Sequence, residues 1–403
     1  VLTLNKNVIN NSGGSAEADA WLLTATGAVE YSGTSSDYWD VGVGVQAGTY
    51  ILMESNGPPE YAASLWNCTG TGDFSNLPEL TLNLGDIADC TITNNDISAS
   101  LTLIKVVVSD NGGTSQPDDW VLTADGTDDN DYSAVSSHWS DGVDVLPDKY
   151  VLSENGPAGY ASSGLECTGT GDFTALPEIT LELGDTATCV IRNDDIPPTL
   201  TLVKNVSNDD GGDADSDDWS LVADGISGNY YSGISSGYWS GGVLINADTY
   251  SLSEIGGPQG YSADNWNCVG GQQNGNSITL TPAQSAVCTL VNDDIAPTLT
   301  LIKQVINDNG GDANADDWTL TATGTTTNNF SGTTTGYWAG GIKVQTDTYI
   351  LSDSNGPDGY DKQRNQHPKR IDRRHADTGN QEIPVVAVFP MQREPVTLVP
   401  TPV

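Results

Sequence analysis

Apolar residues in this chain fall at every second position in short runs, and no window keeps the three-to-four spacing that marks a helix. The stretch from Leu101 to Asn193 shows this throughout. Runs at 101–108 and 120–125, a pair around 138–145, then 149–154, 159–167, 178–183 and 186–193 read as short alternating strands. Gly, Asn and Pro interrupt them roughly every 8–12 residues, the turn spacing of a compact all-β fold. Seven or so such strands predict an Ig-like β-sandwich.

The same pattern comes round four times. Leu-Thr-Leu-x-Lys ends at Lys6, Lys105, Lys204 and Lys303, a period of 99 residues. Trp21, Trp120, Trp219 and Trp318 keep that period, and their Leu and Ala neighbours two and four positions on predict core packing for them. Tyr50, Tyr150, Tyr250 and Tyr349 follow, each with a Gly-Pro turn beyond it. A unit of this size is a whole domain. The expected organisation is a β-sandwich at 1–98, a second at 99–197, a third at 198–296 and an incomplete fourth at 297–360. Short linkers at 94–100, 193–199 and 292–298, two of them containing Pro, predict an elongated rod.

Residues 361–403 break the repeat. They hold half of the 14 basic residues and form a divergent, Pro-rich tail with two strand-like segments, 382–389 and 395–400. The strands that should close the fourth sandwich, with both its cysteines, are missing at the usual places. The tail either folds back to complete repeat 4 or leaves it open for a neighbour's N-terminal strand around Leu2–Val8. The second route gives a head-to-tail filament, and it is the expected one.

Charge narrows the function. Acids number 54 against 14 basic residues, a net charge of -40, which repels phosphate backbones and anionic lipid. Nucleic-acid binding and membrane insertion are therefore not expected, and no apolar run is long enough to span a bilayer. Val1 opens directly on a strand-like segment, so any secretion signal is expected to have been removed or to lie outside the sequence. His138 is the one histidine before residue 361, too little for a general acid–base site, and no enzyme is expected.

Six cysteines fall as one pair in each complete repeat: Cys68 with Cys90, Cys167 with Cys189, Cys268 with Cys288. They lack metal-site spacing and read as intradomain disulfides, with buried free thiols as the alternative; oxidation implies an extracellular or cell-surface location.

Strand phase exposes a second set. Lys105 lies in phase with Leu101 and Leu103, Glu154 with Tyr150 and Leu152, and Asn193 with Cys189 and Ile191. Lys6, Glu54 and Asn94 repeat this arrangement, as do Lys204, Glu254 and Asn292. An inward amine, carboxyl and amide are each costly unless they meet. On the strength of these residues, with the Tyr-x-Leu-x-Glu run before the Gly-Pro turn, the chain resembles the prealbumin-like repeats of bacterial surface proteins and pilin backbones, related to collagen-adhesin B-type domains. The resemblance implies an intramolecular isopeptide bond: Lys6, Lys105 and Lys204 attack Asn94, Asn193 and Asn292, with Glu54, Glu154 and Glu254 shuttling protons. The alternative is a buried, hydrogen-bonded triad. Repeat 4 departs, having Asp353 for Glu and no Asn in place.

Acidic loops after each first strand make the third set. Asp110, Asp118 and Asp119 with Asp194 and Asp195, and likewise Asp209, Asp217 and Asp218 with Asp293 and Asp294, offer oxygen ligands for calcium at domain junctions; the alternative is a turn capped by Asp. The expected function is a non-enzymatic subunit of an extracellular fibre, partnered by further copies of itself. The rival is an adhesin stalk that binds a glycan or host protein.

Overall fold

The computed structural model describes residues 1–403 except 128–129, 309, 355, 363–384 and 393–403, and for 361–362 and 385–392 the backbone alone. The chain forms two compact units, Val1–Pro197 and Pro198–Val403. Strands dominate both, and no helix among the described residues is long and apolar enough to cross a membrane.

In the first unit, repeat 1 is a sandwich of two sheets. One sheet runs Glu30–Gly33, Leu22–Thr26, Gly48–Ser55, Glu79–Leu82, Asp73–Asn76 in antiparallel order. The other centres on Ala88–Asp96, which pairs on one side with Leu2–Ile9 and on the other with Tyr61–Ala63 and Asn67–Gly70. First and last strands run parallel, Leu2 opposite Ala88 and Val8 opposite Asn94. Parallel neighbours need a long crossover, and here the whole remainder of the domain supplies it. Repeat 2 has the same architecture, its strand Ala99–Val108 parallel to Thr186–Asp195. The run predicted as a strand pair near His138 is half helical: Ser136–Trp139 form a single turn that drops Trp139 into the core, and only Val143–Val145 is a strand.

The second unit opens with repeat 3, built like repeat 1, with Thr199–Ser207 parallel to Ser285–Asp294. In repeat 4 the first strand, Thr298–Ile306, also has a parallel neighbour. It is Val385–Gln392, from one of the two strand-like tail segments; the other, 395–400, lies outside the described residues. This corrects the expected donation of an N-terminal strand. The last-strand place of repeat 4 is taken by its own chain, and the presumed donor Leu2–Ile9 is committed to repeat 1, with Leu2 and Leu4 fully buried.

The cores follow the alternation. Leu2 and Leu4 in repeat 1, Leu101 and Leu103 in repeat 2, and Leu200 and Leu202 in repeat 3 face inward, and Trp39, Trp139 and Trp239 are among the indoles that join them. These indoles satisfy their one donor on backbone carbonyls, as Trp39 Nε1 does on Leu23 O at 3.1 Å. The inward Tyr50, Tyr150 and Tyr250 donate their hydroxyls to Gln46, Leu146 and Asn246 carbonyls at 2.6, 2.5 and 2.7 Å. Burial pushes all three phenol pKa values up. Each complete repeat carries one disulfide between residues directly opposite on adjacent antiparallel strands: Cys68–Cys90, Cys167–Cys189 and Cys268–Cys288.

A loop of 20 to 22 residues closed in this way stabilises a repeat by about 3 kcal/mol in the chain-entropy account. Repeat 4 has no cysteine and, among the described residues, a smaller buried cluster. A urea titration followed by tryptophan fluorescence is therefore expected to show an early transition from repeat 4 that reductant leaves in place. The later transitions should move to lower urea once the disulfides are reduced. An early transition that moves as far as the others would contradict this assignment.

Candidate functional site

The first strand of each repeat sends its lysine into the space between the sheets. The side chains of Lys6, Lys105 and Lys204 are fully shielded from solvent, and each ends on a carboxylate of the facing sheet. Lys6 Nζ lies 2.5 Å from Glu54 Oε2, and Lys105 Nζ 2.5 Å from Glu154 Oε2. In repeat 3 Lys204 Nζ approaches Glu254 Oε2 to 2.8 Å, but off the hydrogen-bonding direction, so this is a close ion pair without a hydrogen bond. Strand phase thus predicts the pairing, because a period of two admits only one face.

The acceptor comes from the last strand. Asn94, Asn193 and Asn292 are buried and stand at equivalent register positions, opposite Val8, Val107 and Val206. Asn94 Nδ2 donates to Glu54 Oε1 at 2.9 Å, and Asn292 Nδ2 to Glu254 Oε1 at 2.9 Å. One carboxylate therefore holds the amine on one oxygen and the amide nitrogen on the other in repeats 1 and 3. The carbonyl oxygens of all three Asn side chains are buried with no hydrogen-bond partner. An unpaired buried carbonyl is costly in a folded protein and calls for an explanation.

Burial lowers the pKa of Lys6, Lys105 and Lys204, and the neighbouring glutamates offset this only in part. In repeat 1 a groove of about 640 Å³, lined by Met53, Leu65, Trp66 and Phe74 among others, opens onto Glu54 and gives the site a path to solvent.

Sequence reasoning placed the period-99 tryptophans in the core and missed their second role. Lys6 Nζ stands 4.3 Å from the ring centre of Trp21, and Lys105, Lys204 and Lys303 stand 4.8, 4.9 and 4.5 Å from Trp120, Trp219 and Trp318. The same indole explains the Gly of the Gly-Pro turn: a Cβ at Gly57 would lie 1.8 Å from Trp21 Nε1, and one at Gly156 2.2 Å from Trp120 Cδ1. The lysine backbone is fixed as well. Lys6, Lys105 and Lys204 donate their amides to Ser35, Ser136 and Ser235 hydroxyls at 3.0, 3.0 and 3.1 Å.

Repeat 4 keeps half of this. Lys303 Nζ is 2.6 Å from Asp353 Oδ2, while Met391 holds the register position of the asparagines.

The acidic loops divide into two groups. Asp195 and Asp294 are buried and accept backbone amides of the loop: Gly113 N reaches Asp195 Oδ2 at 2.6 Å, and Asp210 N reaches Asp294 Oδ1 at 2.9 Å. Asp96 does the same in repeat 1, accepting from Ser12 and Gly14 at 2.8 Å each. The expected ligand set is therefore only partly assembled. Asp110, Asp194 and Asp195 come together with carboxylate oxygens within 4.8 Å, as do Asp209, Asp293 and Asp294. Asp118 and Asp217 instead receive the Ser137 and Ser236 amides, and Asp119 and Asp218 receive the Gln116 and Asp215 amides that start the following 3-10 turns.

The prealbumin-like fold domain family matches the sequence four times in succession, over residues 1–92, 96–191, 195–290 and 294–367. Among solved structures, the chain is similar to the TIE protein of Bacillus anthracis at 11% identity, over 94% of this chain and 67% of that one, with a TM-score of 0.43. It is similar to the C-terminal fragment of the pilus adhesin SpaC from Lactobacillus rhamnosus GG at 13% identity, over 49% and 98%, TM-score 0.30. A third similar structure is the pair of B repeat units of the Staphylococcus aureus collagen binding protein, at 15% identity over 97% and 98%, TM-score 0.23. No curated protein matches. Four consecutive matches cover most of its length, and the chain belongs to the prealbumin-like fold domain family.

Proposed function

We propose that the chain is a non-enzymatic, load-bearing stalk of an extracellular surface fibre or adhesin, with its complete repeats locked by Lys–Asn isopeptide bonds. One observation carries this reading: the site joins the strand by which the chain enters each repeat to the strand by which it leaves. Tension applied through the chain enters and leaves on those two strands, and a bond between them takes the load before the rest of the sandwich does. The head-to-tail filament built by N-terminal strand donation is not carried forward, since the place it needs is already filled.

The chemistry balances within each repeat. The uncharged Lys6 Nζ attacks Asn94 Cγ, a C–N bond forms, and the Asn nitrogen leaves as ammonia. Glu54 lies between the two nitrogens, on Oε2 and Oε1 respectively, and can take the proton from one and hand it to the other. Burial supplies the drive, because the product amide has no charge left to desolvate.

A second reading concerns cations. Calcium would be held by the smaller sets that the fold brings together, Asp110, Asp194 and Asp195, and Asp209, Asp293 and Asp294. It is favoured by Asp194 Oδ1, which is buried without a hydrogen-bond partner, and by the mutual repulsion that, after burial, raises the Asp210 pKa. The repeat 3 cluster adjoins repeat 4, whose Thr346 amide donates to Asp210 O at 2.9 Å.

Intact mass under denaturing, reducing conditions is expected to fall short of the sequence mass by three ammonia molecules, one for each complete repeat. A mass equal to the sequence would refute the bond. Glu154→Gln should restore one ammonia and lower the stability of repeat 2 by about 4–5 kcal/mol, the entropy of a loop nearly as long as the domain. Gly156→Val drives a side chain into Trp120 and should slow bond formation in repeat 2, seen as a mixture of masses soon after refolding. Chelation should lower the melting temperature by about 4–8 °C for each kcal/mol of calcium binding lost. Asp194→Asn with Asp293→Asn should abolish that shift; a melting temperature indifferent to chelator leaves these loops as capped turns.

A further inference from the structure

The acidic loop after each first strand contains a Gly-Gly pair, at 13–14, 112–113, 211–212 and 310–311, which the lysine site leaves unexplained. In repeats 1 and 3 a buried aspartate anchors that loop. Asp96 accepts the amides of Asn11, Ser12 and Gly14 at 3.0, 2.8 and 2.8 Å, and Asp294 accepts those of Asp210 and Gly212. The second glycine of each pair lies against this anchor. A Cβ at Gly14 would stand 2.2 Å from Tyr61 Oη and 2.9 Å from Asp96 Oδ2, and one at Gly212 would stand 2.1 Å from Tyr261 Oη.

The first glycine faces the following repeat. In the first unit a Cβ at Gly13 would come within 2.8 Å of Pro147 Cδ, in repeat 2. In the second unit a Cβ at Gly211 would come within 3.1 Å of the Thr346 carbonyl oxygen, in repeat 4. Pro147 and Thr346 occupy the same position, three residues before the core tyrosines Tyr150 and Tyr349. Gly13 and Gly211 have φ of +94° and +90°, so the tip has the same left-handed shape in both loops. Two junctions, one in each unit, thus bring the same position of the next repeat onto the same glycine.

Each contact has flanking support. In the first unit the Gly184 amide of repeat 2 donates to Ile97 O at 2.9 Å, and Leu183 joins the hydrophobic cluster of repeat 1. Leu183 is half-buried, whereas Leu84, at the same place in repeat 1, is 93% exposed; the burial of Leu183 comes from the neighbouring repeat and not from its own. In the second unit the support is polar. The Thr346 amide donates to Asp210 O at 2.9 Å, and Gln345 Nε2 donates to Asp209 O at 3.1 Å. Both acceptors lie in the anchored loop, whose amides are held by charge-assisted bonds to Asp294. A loop fixed beforehand loses little further freedom when a neighbour settles on it.

We infer that these loops are seats for the following repeat, shaped by Asp96 in repeat 1 and Asp294 in repeat 3. The buried carboxylate sets the loop, and the first glycine leaves room for the neighbour's chain. The neighbour then adds Leu183 in one case and Gln345 in the other. Repeat 2 is thereby fixed on repeat 1, and repeat 4 on repeat 3. This goes beyond the stalk reading, and it holds whether or not isopeptide bonds form or cations bind.

The test uses the full chain. Spin labels on Asn76→Cys and Ala175→Cys, exposed and equivalent in repeats 1 and 2, should report a single narrow distance. Gly13→Val and Leu183→Ser alter the seat, leave both cores in place, and should each broaden that distance. A broad distribution in the labelled parent overturns the inference, as does one that stays narrow in either variant. Hydrogen exchange read by NMR tests the anchors. Asp96→Ala should cost Gly184 its protection across the junction, while the strand amides of Thr186–Asp195 keep theirs; Asp294→Ala should do the same to Thr346. Protection that persists at Gly184 or Thr346 removes the corresponding aspartate from the seat. If Leu2–Ile9 or Thr199–Ser207 exchanges freely in these variants, the aspartate holds the sandwich and not the seat, and the assignment fails.

Discussion

A lysine inside a sandwich is the constraint around which each repeat is arranged. An ammonium removed from water costs several kcal/mol unless charge and hydrogen bonds are returned to it. The surroundings of Lys6 show how much of the domain serves that end. Glu54 from the facing sheet supplies the counter-charge, Trp21 a π-face, and Ser35 an acceptor for the backbone amide. Trp21 in turn forces a glycine at position 57, because its indole occupies the space of any side chain there. Residues scattered from position 6 to position 94 are thus tied to one amine, and four repeats reproduce the lysine, its carboxylate and its tryptophan.

The acids obey a second, separate constraint. A loop leaving a parallel first strand has amides with no sheet partner, and a buried carboxylate at the end of the last strand gathers them. Asp96, Asp195 and Asp294 are therefore structural anions, and their satisfaction by backbone N–H groups leaves the exposed acids of the same loops to carry most of the negative surface. That division explains why a chain with so high a net charge still folds. The carboxylates of Asp96, Asp195 and Asp294 are compensated locally by backbone N–H groups, and most of the other loop acids face water.

Legibility tracked geometry that repeats exactly every two residues. Phase alone places Lys6, Glu54 and Asn94 inward, and the fold joins them. The same rule, carried two residues further, turns Asp96, Asp195 and Asp294 inward, since each follows its asparagine in phase; the expectation of calcium ligands at Asp195 and Asp294 instead reads those two as loop residues. The role of Trp21 was masked because core packing accounts for an indole completely. The constant 15-residue step from lysine to tryptophan, 6 to 21, 105 to 120, 204 to 219 and 303 to 318, was the available signal. The turn at Ser136–Trp139 was not legible, since a single helical turn is too short to show a period. The course of the tail was open in principle: Val385–Gln392 has strand propensity, but which sheet it joins depends on register with a first strand some 80 residues away.

Repeat 4 shows how the lysine and its acceptor can be separated. It retains the buried amine and the tryptophan, yet its carboxylate belongs to an aspartate and its acceptor position to Met391. The side chain of Asp353 is 7% exposed, against 16–19% for the three glutamates. A carboxylate one methylene shorter must sit deeper to reach the same amine. The two differences fall on one site: where Met391 takes the register position of the amide, an ion pair with Asp353 keeps Lys303 buried. A shorter carboxylate and a missing amide therefore leave the ion pair and the indole around Lys303, without the amide that Asn94 and Asn292 present to their glutamates.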